Sequence, residues 1–130
     1  MRFRFGLVLV LAVAACFFGA GNVTSKAVGA DEETKAKHTI KEVMKIGHNK
    51  ESGVLGKVLS GNATDDEKKL LLDLYISMLE SKPKKGEMDS WQKLAGGTAL
   101  AAAKVVVGRE GALDELKEAS NCAACHKLHK

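Results

Sequence analysis

The sequence feature that most constrains this chain is a CxxCH pentapeptide close to its C-terminus, Cys122-Ala123-Ala124-Cys125-His126. Two thiols at this spacing lie on one face of a helix, where each can add to a vinyl group of a protoporphyrin. The histidine that follows can bind the iron from the same side. The motif therefore predicts covalent attachment of one haem c, with His126 as an iron ligand.

Two other interpretations of these residues stay open from the sequence. The thiols could form a disulfide or a redox-active pair, although that chemistry usually accompanies a βαβ pattern, which this chain lacks. Cysteines and histidines in close succession can also bind zinc. The zinc ligands would then be Cys122, Cys125, His126 and His129.

Residues 1–30 have the layout of a secretory signal peptide. An arginine-containing start precedes an apolar stretch that ends near Ala20, and small residues follow. The stretch is shorter than the roughly 20 apolar residues that normally span a membrane. We predict removal of residues 1–30 and export to the periplasm. The Val-Ala-Ala-Cys sequence that ends at Cys16 also resembles a bacterial lipobox, in which a lipidated Cys16 would anchor the protein to a membrane.

Removal of this leader changes the composition on which function is judged. Three of the 20 Lys and Arg residues lie in it and no acidic residue does, so 17 basic residues face 16 acidic ones, a net charge of +1. Such a balance gives no support to a nucleic-acid partner. All four phenylalanines lie there too, which leaves Tyr75 and Trp91 as the aromatic residues of 31–130. Aromatics usually dominate buried area, so their scarcity fits a domain that encloses a porphyrin.

The remaining chain, residues 31–130, has helical periodicity without strand-like alternation, which predicts an all-α domain. Thr64 and Glu67 have the spacing of a capping box at the start of one helix. Helices of this length with short connections are typical of an up-and-down antiparallel four-helix bundle. The four predicted segments are about 34–59, Thr64 to near Ser81, Asp89 or Ser90 to Gly108, and Ala112 into the CxxCH.

In such a bundle the first helix begins at the end where the fourth helix finishes, so the CxxCH falls beside the early turns of the first segment. Met44 lies there, and its thioether is a soft donor that can bind iron together with a histidine. A methionine of the apolar core is the alternative interpretation. His48, one turn further on, could compete as a ligand, although we expect a surface histidine there. Solvated helix ends are expected for His38 and His129.

Three glycines carry weaker expectations. Gly47 is expected to leave room for the porphyrin ring beside Met44. Gly96-Gly97 costs a helix about 2 kcal/mol relative to alanine. Either close approach of the porphyrin or tight contact between helices is expected to offset that cost.

Taken together, the chain resembles the class II c-type cytochromes, the family of cytochrome c-prime and its low-spin relatives. The resemblance covers about residues 36–130. It rests on the C-terminal CxxCH, the four-helix pattern, Trp91 near the start of the third helix, and the stretch from Ile40 to Lys45 in the first. The chain departs from the family at Ile40 and Lys130, where relatives often have arginines.

The resemblance implies a haem c bound through Cys122 and Cys125, with His126 as the proximal ligand. The low-spin branch of the family uses a first-helix methionine as the sixth ligand, which corresponds to Met44, and carries single electrons between redox partner proteins. The high-spin branch leaves the sixth position vacant and binds NO or CO. We predict an electron carrier rather than an enzyme, with the gas-binding protein as the alternative. Homodimers are common in the family.

Overall fold

The structure is a computed structural model that describes residues 36–130, so the predicted signal peptide and the lipobox residue Cys16 lie outside the described residues. The described chain contains six helices and no strand, which confirms the all-α class for this part of the protein. No helix in it is both long and apolar enough to cross a membrane. The helices are α1 Ile40–Gly47, α2 Val54–Leu59, α3 Asp65–Glu80, α4 Met88–Val106, α5 Ala112–Ala119 and α6 Cys122–His129.

The second predicted segment is confirmed as the single helix α3, and so is the capping box at its start. The Thr64 hydroxyl accepts a hydrogen bond from the Glu67 amide at 3.2 Å, and the Glu67 carboxylate accepts one from the Thr64 amide at 2.9 Å. Lys57 of α2 pairs with the same carboxylate at 2.6 Å. The Lys57 hydrogen bond and then the Thr64 amide hold the pKa of Glu67 below its ordinary value of 4.5.

The first predicted segment is wrong as a single helix, because the chain turns between α1 and α2. The Asn49 side chain accepts hydrogen bonds from the amides of Glu51 at 2.9 Å and Ser52 at 3.3 Å. An asparagine bonded to the amides ahead of it offers the backbone an alternative to the helix. Gly53 follows, and a Cβ there would collide with the backbone of Asn49. The turn therefore ends α1 with His48 as its C-cap.

The core of the described domain lies mainly between α3 and α4, which form its most extensive helix pair. Its larger side chains come mostly from α3, whereas α4 contributes one tryptophan and several alanines, which let the two helices approach closely. Trp91 is buried, and its indole Nε1 donates a hydrogen bond to the Met78 carbonyl at 3.2 Å. The buried residues of the pair include Leu71, Leu74, Tyr75, Met78, Trp91, Ala95, Ala99, Ala101 and Ala102.

The two ends of α4 agree with the sequence to different degrees. The end at Gly108 is confirmed: the helix stops at Val106, and Gly108 has a φ of 70°, in the left-handed region that favours glycine. The expected cap at Asp89 or Ser90 is wrong. The helix begins at Met88 instead, and the residue before it makes no side-chain cap hydrogen bond.

The fourth predicted segment is also divided, at Asn121. The Asn121 side-chain oxygen accepts hydrogen bonds from the amides of Ala123 at 3.0 Å and Ala124 at 3.3 Å. Asparagine is among the best N-cap residues because this oxygen satisfies amides that have no partner within the helix. Cys122 is consequently the first residue of a separate short helix, α6, rather than part of the last turn of α5.

His129 fixes the position of α6, and the expected solvated end is wrong for it. The side chain is buried, and its Nδ1 donates to the Lys85 carbonyl at 2.9 Å. Its Nε2 lies 3.1 Å from the Ser90 hydroxyl, and the ring meets Trp91 edge-on with centroids 5.3 Å apart. Gly86, with a φ of 87°, lies against the ring so closely that any Cβ would collide with it. The α3–α4 loop thus holds the C-terminal helix in place.

Candidate functional site

A cleft lies between α1, α4 and α6. Two adjoining cavities form it, a smaller and more enclosed one of about 40 Å³ and a wider one of about 550 Å³. The wider cavity is within the size range typical of small-molecule and cofactor sites, about 300–1,000 Å³. Five residues line both cavities: Met44, His48, Cys122, Cys125 and His126. The structure therefore brings the four residues predicted from the sequence to one place, and His48 joins them.

One side of the cleft is the CxxCH helix α6, whose orientation is set by Asn121 at its start and His129 at its end. Cys122 is exposed and Cys125 is half-buried, and both thiols are free. His126 is exposed at the same cleft, and no residue of 36–130 makes a hydrogen bond to its ring. Both thiols and the imidazole are thus available for attachment and ligation.

The other side of the cleft is α1, whose capping box at Thr39 and Glu42 fixes its start. Met44 and His48 are four residues apart, so they lie on the same face of the helix. Both are half-buried. Within residues 36–130, α6 makes helix contacts with α4 and none with α1. The donors of α1 and those of α6 therefore belong to separate walls with the cleft between them.

His48 departs from expectation, because it is not a surface histidine. Its Nε2 is buried and has no hydrogen-bond partner among residues 36–130. Its ring lies 5.6 Å from the ring of Tyr75, tilted by 54°. Burial lowers the pKa of His48, and the charge of His126 lowers it further. His48 is therefore a half-buried histidine whose pKa lies below its ordinary value, and it lines the cleft together with His126.

Tyr75 is a second buried polar group close to this cleft. Its hydroxyl has no hydrogen-bond partner among the described residues, although the side chain is fully buried. Burial raises the pKa of Tyr75, and the charge of Cys122 raises it further. A buried polar group without a partner costs about 1–3 kcal/mol. Two such groups, Tyr75 and His48, lie with their rings in contact on the α1 side of the cleft.

Apart from the five residues that line both cavities, the lining of the smaller cavity is mainly apolar or small. Thr98 is the exception on α4, and its hydroxyl is occupied, since it lies 2.9 Å from the carbonyl oxygens of Leu94 and Ala119. The wider cavity has basic side chains at Lys50 and Lys130. An apolar interior with positive charge at the mouth suits a flat apolar group that carries acidic substituents at its edge. The further lining residues of the smaller cavity are Met78, Leu94, Ala95, Ala119, Ser120 and Asn121.

The zinc interpretation requires four cysteine and histidine ligands that the described residues do not bring together. Both ring nitrogens of His129 bond to the α3–α4 loop and to Ser90, away from the cysteines. Across residues 36–130, no three His, Cys, Asp or Glu side chains converge as a zinc site requires. Haem iron has a smaller demand, since a protein supplies it with at most two axial ligands.

The thiol-redox interpretation lacks its usual structural setting. A redox-active CxxC normally accompanies a βαβ pattern, and residues 36–130 contain no strand. Burial raises the pKa of Cys125, and the charge of Cys122 raises it further.

The expectations for the three glycines are wrong. Gly47 lies against α3, where a Cβ would stand 3.6 Å from Leu74, and it does not line the cleft. A Cβ at Gly96 would make an ordinary contact of 3.7 Å with Leu79, and one at Gly97 would meet nothing within 4 Å. Neither glycine of α4 faces the cleft, so close approach of a porphyrin does not explain them, and nothing in the structure requires Gly97.

Asn121 is the site residue that sequence reasoning missed, and His48 was considered as a ligand but expected at the surface. The spacing of His48 from Met44 already placed both on one helical face, and the Asn49 turn that holds His48 could have been read from its asparagine and glycine. Asn121 directly precedes the CxxCH, in the position of a strong N-cap.

Comparison of the chain with protein-family models, with characterised proteins and with solved structures found no match.

Proposed function

We propose that this protein is an exported monohaem c-type cytochrome of the class II type, which carries single electrons. One observation carries the proposal: the CxxCH of α6 faces, across a cleft of cofactor size, the helix that offers Met44 and His48. A thiol pair with one imidazole on one wall and a second donor on the other is the donor set of a six-coordinate haem c.

The residues present fit a haem on the chemistry of the site. The cleft is mostly apolar, as a porphyrin face requires, and two basic side chains at its mouth can pair with propionates. Two buried polar groups at the cleft, His48 Nε2 and the Tyr75 hydroxyl, have no hydrogen-bond partner among residues 36–130. Buried polar groups in native proteins almost always have a partner, so their presence supports a bound group that supplies one.

The roles of the residues follow from their positions. Cys122 and Cys125 would hold the porphyrin through thioether bonds, and His126 would be the proximal ligand. The α1 wall would supply the sixth ligand, which the family resemblance assigns to Met44. A bound haem c would supply a one-electron ferric/ferrous couple. The apolar side chains of α4 would exclude water from one side of the site, and the proposed role is that of an electron carrier rather than an enzyme.

We extend the proposal to the arrangement of the helices. α1 with α2, α3, α4, and α5 with α6 would be the four legs of an up-and-down antiparallel bundle. The connections 60–64, 81–87 and 107–111 are short, which favours antiparallel neighbours. In this arrangement the break at Asn121 turns the last part of the fourth leg toward α1.

Export and partners complete the proposal. Residues 1–30 would direct the chain to the periplasm, where haem is attached to a CxxCH, and Cys16 would anchor it to a membrane if lipidated. Its electron-transfer partners would be redox proteins. A second copy of the chain would be a further partner, in a homodimer. No nucleic acid is involved.

Haem attachment is tested by expressing the full chain in a bacterium able to mature c-type cytochromes. Intact mass should show the increment of one haem, and haem staining should survive denaturing electrophoresis. Cys122→Ser/Cys125→Ser should remove both signals. Cys16→Ser is the matched control, because its thiol lies outside the motif. It should keep the haem, and its move from the membrane to the soluble fraction would indicate lipidation. A wild-type chain without covalent haem would overturn the proposal.

Carbon monoxide separates the electron carrier from the gas-binding alternative. A six-coordinate carrier should bind carbon monoxide slowly in the ferrous state, because the sixth ligand must leave first. A protein with a vacant sixth position would bind it at once and show a high-spin ferrous spectrum. The latter result would replace the electron carrier with the gas-binding protein.

A further inference from the structure

We propose that His48 is the residue of α1 that binds the sixth position of the haem iron, so that two imidazoles ligate it. The inference rests on the proposed function, because it requires a haem c attached at the CxxCH. It departs from the low-spin branch of the resembled family, in which a methionine at the position of Met44 has this role.

The first support is the unsatisfied nitrogen of His48. Its Nε2 is buried without a hydrogen-bond partner among residues 36–130, and yet its side chain lines both cavities of the cleft. Leaving a buried polar atom unpaired costs about 1–3 kcal/mol. A bond from this nitrogen to iron would remove that cost, since imidazole nitrogen is a common ligand of haem iron.

The second support is the position of both imidazoles at one cleft. His48 of α1 and His126 of α6 line both cavities, and the two helices do not contact each other. A group bound in the cleft would therefore have one imidazole on each wall.

The third support is the backbone that holds His48. Its amide donates to the Met44 carbonyl at 3.2 Å as the C-cap of α1. The Asn49 turn follows directly, and it is closed by the hydrogen bond from the Gly53 amide to the Asn49 carbonyl at 2.9 Å. The ring of Tyr75 supports the imidazole from the core. The residue is thus positioned by fixed structure rather than by a flexible helix end.

Met44 has a different environment. Its side chain packs against the buried core cluster as well as lining the cleft. A thioether has no hydrogen-bonding requirement to satisfy, and flexible methionines commonly fill space beside a core. The structure therefore gives Met44 a packing role, whereas the His48 nitrogen has none. Because methionine–histidine ligation raises the reduction potential of haem, a pair of imidazoles places this protein at a lower potential than the methionine-ligated relatives.

The test compares holoproteins that carry replacements on one helix. His48→Leu should lose the six-coordinate low-spin spectrum and bind carbon monoxide in the ferrous state at once. Met44→Leu should keep a low-spin spectrum. Lys45→Leu places a leucine on the exposed side of α1 and serves as the matched control. Wild type should lack the sulfur-to-iron charge-transfer band of ferric haem with a methionine ligand.

A second replacement covers the case in which His48→Leu fails to fold. His48→Met should restore a low-spin spectrum, introduce the sulfur-to-iron band and raise the midpoint potential, because it exchanges the proposed nitrogen for sulfur. The proposal is overturned if wild type shows the sulfur band and Met44→Leu abolishes it, or if wild type is high-spin. Both outcomes leave covalent haem in place, so they are distinct from failure of the proposed function, in which no haem is attached.

Discussion

The α3–α4 pair and the α1–α6 pair stabilise themselves to very different extents. α3 and α4 are 16 and 19 residues long and bury side chains against each other, and the Trp91 indole of α4 donates to the Met78 carbonyl of α3. α1 and α6 have 8 residues each and do not contact each other. Isolated helices shorter than about 12–15 residues are marginal in water. The first pair closes a core from its own side chains, and the second pair encloses a cleft that needs a further group.

Loss of the proposed haem should affect the two pairs unequally, and this is the largest effect we expect. In the Cys122→Ser/Cys125→Ser variant, amides of α1 and α6 should exchange about a hundredfold faster than in the holoprotein, which corresponds to about 2.7 kcal/mol of lost stabilisation. Amides of α3 and α4 should keep most of their protection. Hydrogen exchange followed by mass spectrometry measures both. Equal losses in all four helices would mean that the haem supports the whole domain.

The replacement Leu74→Ala tests the buried core to which α3 contributes. Leu74 is fully buried between helices, so the replacement should lower the free energy of unfolding by about 2–5 kcal/mol. Leu100→Ala is the matched control on α4, because Leu100 is 60% exposed, and it should stay within about 0.5 kcal/mol of wild type. Urea unfolding followed by circular dichroism measures both. Equal effects at the two positions would contradict the assigned core.

Replacement of the N-cap threonine in each capping box compares the same motif in α3, which belongs to the first pair, and in α1, which belongs to the second. Thr64→Ala at α3 should lower the global free energy of unfolding by about 1 kcal/mol. Thr39→Ala at α1 should mainly increase amide exchange within α1, because α1 can open without unfolding α3 and α4. Serine at either position keeps the hydroxyl and should preserve most of the stability. If Thr39→Ala lowers global stability as much as Thr64→Ala does, α1 unfolds together with the core.

Replacement of two glycines with open surroundings should give the smallest change in the free energy of unfolding. Neither Gly97 nor Gly61 would bring a Cβ within 4 Å of other described atoms, but Gly97 is helical and Gly61 has a φ of 75°. Gly97→Ala should therefore raise the free energy of unfolding by up to about 1 kcal/mol. Gly61→Ala should lower it, because a left-handed backbone strains alanine. Thermal unfolding resolves the opposite signs. A loss of stability in Gly97→Ala would indicate a neighbour that the single chain does not contain.

Prediction from the sequence succeeded where local signals agree with one another. The capping box at Thr64 and the apolar stripe that follows specify α3 without help from the rest of the chain. The segments that contain the site were predicted as continuous helices, because their apolar spacing was given more weight than Asn49 and Asn121. Each asparagine side chain bonds to nearby backbone amides and redirects the chain. These breaks are visible in the sequence once capping is weighed against periodicity.

The candidate site was predicted in part. The CxxCH and Met44 line one cleft, as the topology argument predicted. The burial of His129 could not be predicted, since its hydrogen-bond partners Lys85 and Ser90 lie 44 and 39 positions earlier. The unpaired nitrogen of His48 is likewise a property of packing, which depends on the position of Tyr75 in another helix.

The contact of Gly86 with His129 has a consequence for how this sequence can diverge. Every amino-acid replacement at position 86 adds at least a Cβ, and that atom would collide with the imidazole. A homologue that loses this glycine must therefore also shorten or move the side chain at position 129, and with it the helix that carries the CxxCH. Positions 86 and 129 should change together in descendants of this gene, although they are distant in sequence and neither one is a proposed iron ligand.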